Sequence, residues 1–261
     1  MTDEFEFNLS EASLIQFEGN SKPQMMILYG PPGNGKSYIA ASASEVEGLY
    51  PILIIDTEGS TQGTIDLFDK DRIDVVRPQE THPGNEYKFV VTLLESLLTK
   101  THKYKTVIID TADVLQEWSI AAGRQKGDGF AHWNFTHSEL TAPPNKRDGK
   151  WEDRGLFHRM KAADFLSILV IHDKQEALND EGTLMYANLQ WSGQGKTKIG
   201  GIPDVVGYVT RDTNSAGKST STLHTAPTKR NLAKNRFNLP HKIDDPSMTV
   251  IFDLIDNKED K

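Results

Sequence analysis

The 261-residue chain has no cysteine. That excludes disulfides and thiolate-bound metal, and it is compatible with a reducing cytoplasm. There is no uninterrupted apolar run of about 18 residues, so a membrane-spanning helix is not expected. The opening MTDEFEFNLSEA is acidic and lacks an apolar signal core, which argues against export. Excess positive charge is also missing: 29 Lys and Arg stand against 37 Asp and Glu, a formal net charge of −8. A uniformly basic coat for nucleic acid is therefore excluded, while local patches are not. From Thr213 to Lys242 the balance reverses, with Lys218, Lys229, Arg230, Lys234, Arg236 and Lys242 and no acid.

What is present suits one sizeable core, with 37% hydrophobic and 25% charged residues. QMMILYG (24–30), YPILIIDTEG (50–59), KTVIIDTAD (105–113) and FLSILVIHD (165–173) read as buried strands, and RIDVVRP (72–78) as a weaker one. SYIAASASEV (37–46) reads as a small-residue helix. NEYKFVVTLLESLLTK (85–100) places Tyr87, Val90, Val91, Leu94, Leu97 and Leu98 on one helical stripe. Strands apolar on both faces, alternating with helices, predict a mainly parallel sheet covered on each side. Residues 205–227 alternate about an NSAGK turn and predict a hairpin. Residues 117–160 and 179–203, rich in Gly, Trp and charge, predict long loops of the functional kind. No repeat or linker is evident. The expected division is an arm over 1–22, one domain over 23–256 and a frayed tail over 257–261.

The densest signal is GPPGNGKS, residues 30–37, between the first strand and the first helix. Gly30, four further residues, then Gly35, Lys36 and Ser37 is the spacing of a P-loop. A polyphosphate needs many donors at once, and glycines let backbone N–H groups turn inward toward it. Gly30, Pro31, Pro32, Gly33, Asn34, Gly35, Lys36, Ser37 and Tyr38 are thus the nucleotide-binding candidates. Lys36 is placed to reach the β- and γ-phosphates, and Ser37 to bind Mg²⁺. The bland alternative, a Gly-rich turn with a surface lysine, requires Gly30, Gly35, Lys36 and Ser37 to match by chance between a buried strand and a helix. GKT at 195–197 and GKS at 217–219 fail the same test, because Gln190 and Asp212 stand where the first glycine is needed.

Asp110, ending TVIID, is the expected second anchor for Mg²⁺ on a neighbouring strand. Glu58, just past the second strand, is the first candidate to orient and deprotonate water, with Asp56, Asp113 and Glu117 weaker ones. His172 and Gln175 follow the fourth strand, where either could sense a γ-phosphate. With no convincing Asn-Lys-x-Asp base motif, ATP is the expected nucleotide.

Taken together, GPPGNGKS, DTEGS, VIIDTAD and AKNRFNLP resemble the RecA-like branch of P-loop ATPases, and more narrowly the phage-encoded RecA-core and single-strand annealing proteins. The resemblance implies a three-layer αβα core with a mainly parallel sheet and a C-terminal β-hairpin, using ATP and Mg²⁺. It implies a homo-oligomeric ring or filament in which Lys234 and Arg236 reach a neighbour's γ-phosphate. It also implies single-stranded DNA on two loops, in recombination, annealing or replication, with single-strand-binding or replication proteins as possible partners. By position the loops offer Arg124, Lys126, Trp133, Lys146, Arg147, Lys150 and Trp151 in the first. The second offers Tyr186, Trp191, Lys196 and Lys198. Aromatic platforms and cations together are what sequence-tolerant strand binding uses. Two other classes stay open at this point: a small-molecule kinase, and a slow nucleotide-dependent scaffold or loader.

Overall fold

Met25–Gly30 forms β1, and the alternation of its side chains sets up the whole architecture. Met25, Ile27 and Tyr29 point into one apolar cluster, and Met26 and Leu28 into another on the opposite face. In the computed structural model, which describes residues 22–124, 135–142, 154–178, 184–192, 198–213, 216–229 and 231–257, the same division repeats along the neighbouring strands.

The parallel core comprises β1, β2 (Ile52–Asp56), β3 (Ile73–Val76), β4 (Thr106–Asp110), β5 (Leu166–Leu178) and β7 (Val205–Thr213). Further strands are β6 (Leu184–Leu189), β8 (Ser219–His224), β9 (Lys234–Asn235) and β10 (Lys242–Asp244). The sheet order is β10-β8-β7-β1-β5-β4-β2-β3, with β6 pairing β5 and β9 pairing β7. Pairings among the core strands are parallel, and β6, β8, β9 and β10 add antiparallel edges. One face is covered by α4 (Glu86–Thr99), α5 (Ala112–Arg124) and α6 (Leu156–Lys161), the other by α1 (Lys36–Ala41) and α7 (Met248–Asp256). Short helices α2 (Gln62–Ile65) and α3 (Pro78–Thr81) complete the described elements used below.

Local chemistry explains the boundaries. Helix α4 buries Tyr87, Val90, Leu94 and Leu97, the stripe seen in the sequence. Helix α7 starts where the Ser247 side chain accepts from the Val250 N–H. Among the described residues no helix is long and apolar enough to cross a membrane. The α/β layering with a mainly parallel sheet is the fold class expected above.

Three expectations need correction. The helix expected over 37–46 ends at Ala41 and continues as a 3₁₀ turn, Ser42–Glu45. The strand expected to stop near Asp173 runs to Leu178. Part of the loop expected over 179–203 is instead β6, its antiparallel partner. The period-2 alternation over 184–189 is too weak to outweigh the Gly and polar content around it. The N-terminal arm, residues 125–134 and 143–153, and the tail over 258–261 lie outside the described residues.

Candidate functional site

Register brings the candidate residues to one edge of the sheet. His172 on β5 pairs with Gly30 at the end of β1, and Asp56 pairs with Asp110 across the ends of β2 and β4. Strand β5 separates the phosphate-loop strand from the Asp110 strand. The carboxyl ends of parallel strands are where open α/β sheets bind ligands.

The loop from Gly30 to Ser37 turns through left-handed backbone at Gly33 (φ 77°) and Gly35 (φ 94°). At both, a side chain would strain the turn. Lys36 is only 5% exposed, and its Nζ donates to the carbonyls of Gly30 and Pro31, each at 2.8 Å. Burial lowers its pKa, opposed by Asp110, Asp173, Asp113 and Glu58 around it. The loop is braced from β7 and β8. Asn34 Nδ2 donates to the Val209 carbonyl (3.1 Å), Ser221 Oγ to the Asn34 carbonyl (3.0 Å), and Arg211 Nη1 to the Gly33 carbonyl (3.2 Å).

Asp110 is 5% exposed. Burial pushes its carboxyl up to about 6, against a hydrogen bond from Ser37 that works the other way. A dication beside this carboxylate would offset the cost of burying its charge. Ser37 and Asp110 supply hard oxygen ligands of the kind Mg²⁺ takes, completed in such sites by phosphate oxygens and water. Among the described residues no cluster of three His or carboxylate groups is placed to hold a metal by itself.

Beyond β2 and β4 the chain ends are stapled together. Thr57 N–H donates to the Asp110 carbonyl (2.8 Å), and Thr111 N–H to Thr57 Oγ1 (2.7 Å). Asp56 is fully buried and accepts from the amides of Glu58, Gly59, Ser60 and Thr61, the Thr61 hydroxyl and Arg77 Nε. Burial opposes its ionisation, but the bonds from Thr61, Arg77 and Gly59 outweigh it and hold the carboxyl below its ordinary value. Asp56 is thus a loop anchor with its oxygens occupied, not a water activator. Glu58, by contrast, has its side chain one-third exposed and lines the cavity.

That cavity, about 820 Å³, is lined by Gly33, Gly35, Lys36, Ser37, Glu58, His172 and Arg211 and by the apolar Tyr38, Leu67 and Pro246. Tyr38 and Leu67 are among the few exposed large apolar side chains of the described residues. A lining that combines charged groups with apolar side chains suits a nucleotide. The structure therefore brings Lys36, Ser37, Tyr38, Glu58, Asp110 and His172 together. Gln175 lies on β5 opposite Ala187, and its side chain is outside the described set. Arg211, Ser221, Ser60 and Asp245 escaped the sequence reading; only the hairpin prediction over 205–227 hinted that part of this strand pair returns to the loop.

Lys234 begins the short strand β9 and Arg236 follows it, beside the start of β7, the neighbour of β1. Both thus lie toward the amino ends of the strands, opposite the carboxyl ends that carry the phosphate loop. Arg236 Nη1 pairs with Asp204 (3.1 Å), Lys234 Nζ donates to the Gly201 carbonyl (2.6 Å), and Lys161 also grips Asp204 (2.5 Å). Neither basic residue belongs to its own chain's phosphate site.

The DNA-binding expectation needs one correction. Trp191 is 3% exposed and packs on Phe157 (5.9 Å between ring centroids), so it is core and offers no stacking platform. Arg124 ends α5, and Lys198 Nζ lies 2.8 Å from His137 Nε2. Tyr186 is on β6 with its side chain outside the described set. Lys126, Trp133, Lys146, Arg147, Lys150, Trp151 and Lys196 also lie outside it.

Residues 22–140 match the family model of an AAA domain, a P-loop nucleotide-binding module. None of the curated proteins matches the chain in sequence. Among solved structures, the RadB recombinase aligns at 13% identity and a TM-score of 0.42, covering 85% of this chain and 86% of its own. An ATPase from the type III secretion system of pathogenic bacteria aligns at 13% identity and a TM-score of 0.42. That alignment covers 72% of this chain and 52% of the ATPase, so the chain spans about half the secretion ATPase's length.

Proposed function

We propose that this protein is a Mg²⁺-dependent ATPase of the RecA-like kind, assembling into a homo-oligomer that acts on single-stranded DNA in recombination, annealing or replication. The observation that carries the reading is that Lys36, Ser37 and Glu58 line one cavity together with the apolar Tyr38, Leu67 and Pro246, with buried Asp110 bonded to Ser37 behind it. Backbone amides of residues 33–37 and the Lys36 ammonium hold the phosphates. Ser37 and Asp110 hold the metal, which when bound spreads the negative charge developing on the transferred group. Glu58 orients a water and takes its proton. Tyr38, Leu67 and Pro246 contact the base.

The basic pair at the far end of the strands supports a shared site. Being remote from its own phosphate loop, Arg236 can serve a nucleotide only on a neighbouring copy, where its planar fork grips phosphate oxygens. The DNA role rests on the sequence resemblance and the basic stretch of 213–242. Measuring phosphate release with and without a single-stranded oligonucleotide tests the whole reading. Stimulation by the strand is expected. Release that the strand leaves unchanged would remove the DNA role, and transfer to a metabolite would make the protein a kinase.

A further inference from the structure

Asp113 occupies the first turn of α5, three residues past Asp110, and is buried. Both of its carboxylate oxygens serve one residue. Oδ1 accepts from the backbone N–H of His172 at 3.2 Å, and Oδ2 accepts from His172 Nδ1 at 3.0 Å. This two-point grip fixes the ring and occupies Nδ1. Nε2 is left as the ring nitrogen available to the cavity that His172 lines, beside the first residue of the phosphate loop.

We propose that Asp113 is a positioning residue and His172 a catalytic one: Asp113 locks the imidazole so that Nε2–H donates to the terminal phosphate of the bound nucleotide. This rests on the ATPase reading of the cavity and adds to it a residue pair that presents a cation. The chemistry is constrained by the tautomer. With Nδ1–H given to Asp113, a neutral ring has no proton on Nε2 and would act there as an acceptor. Only the imidazolium donates from both nitrogens. Four charged groups face His172: Asp113 from α5, Glu58 from the loop after β2 at 3.8 Å, Lys36 from α1, and Asp173 beside it on β5. The Asp113 bond raises the imidazole pKa above its ordinary 6.5, while burial and Lys36 oppose the rise. A charged donor aimed at developing phosphate charge is stronger than a neutral one.

The direction of the pH profile distinguishes donor from base. Turnover of the full chain should hold while His172 is protonated and fall as pH rises through its native pKa. Asp113→Asn should move that descending limb about one pH unit lower, and His172→Gln should abolish the limb and lower kcat on the order of 100-fold. A second readout is the affinity ratio for a non-hydrolysable triphosphate over ADP, which should drop roughly tenfold in His172→Gln with little change in ADP affinity itself. An NMR titration of His172 in the wild-type chain and Asp113→Asn checks the coupling without any turnover. A limb at the same pH in Asp113→Asn, an unshifted imidazole, or an unchanged triphosphate preference overturns the proposal. If Lys36→Ala binds nucleotide as well as wild type, the ATPase reading fails first, and the proposal with it.

Discussion

Glu58 and Asp56 stand two positions apart on one turn and differ in what surrounds them. Asp56 is fully enclosed by donors, whereas Glu58 keeps an exposed carboxylate in the cavity. Glu58→Gln should therefore retain nucleotide affinity while kcat falls at least about 100-fold, read by equilibrium titration beside steady-state hydrolysis. Asp56→Ala should instead unfold the turn at a cost of about 3 kcal/mol, seen in denaturant titration. Asp204 provides the pH test. Burial alone would raise its pKa, but the bond from Lys161 and the amides of Gln24 and Met25 outweigh burial and hold it below the ordinary 3.8. A carboxyl with a depressed native pKa stabilises the fold above its unfolded value and loses that contribution as pH falls through the native one. Asp204→Asn should accordingly lower stability by about 2 kcal/mol at pH 7, with the gap to wild type closing below about pH 4. Thermal melts across that range check it. At this scale the sequence could nominate acids but not separate their roles, since Asp56, Glu58 and Asp113 look alike until their donors are known.

Among the elements, β1, β2, β4 and β5 were legible because their residues are apolar on both faces, which little else in the chain imitates. The phosphate loop was legible because its spacing is local. Its brace was not: Asn34 meets Val209 across 175 positions, and Ser221 meets Asn34 across 187. No periodicity encodes contacts of that range. The brace has a testable consequence at Gly30, whose φ is 152° and where an added Cβ would lie 2.3 Å from the Val209 carbonyl oxygen. Gly30→Ala should push β7 from β1, lowering stability on the order of 3 kcal/mol and weakening nucleotide binding in the same samples. Trp191 went the other way. Its loop-like, Gly-rich neighbourhood suggested exposure, and packing against Phe157 decided otherwise.

At the scale of the whole molecule the phosphate loop and the Lys234–Arg236 pair lie at opposite ends of two adjacent parallel strands, β1 and β7. A site completed by a neighbour makes hydrolysis depend on assembly. Mixing inactive Lys36→Ala with inactive Arg236→Ala should restore part of the activity, because some interfaces then pair an intact loop with an intact arginine. No recovery at any ratio would return Arg236 to its structural bond with Asp204. Beneath all of this lies one pocket, in which buried Lys36 and the loop amides neutralise a triphosphate held with Mg²⁺ by Ser37 and Asp110. The direct measurement is calorimetric titration of Mg-ATP analogue into wild type and Lys36→Ala, with circular dichroism to confirm that both are folded. Affinity should fall about 100-fold or more in the variant. Equal affinity in a folded variant would contradict a nucleotide site at this loop.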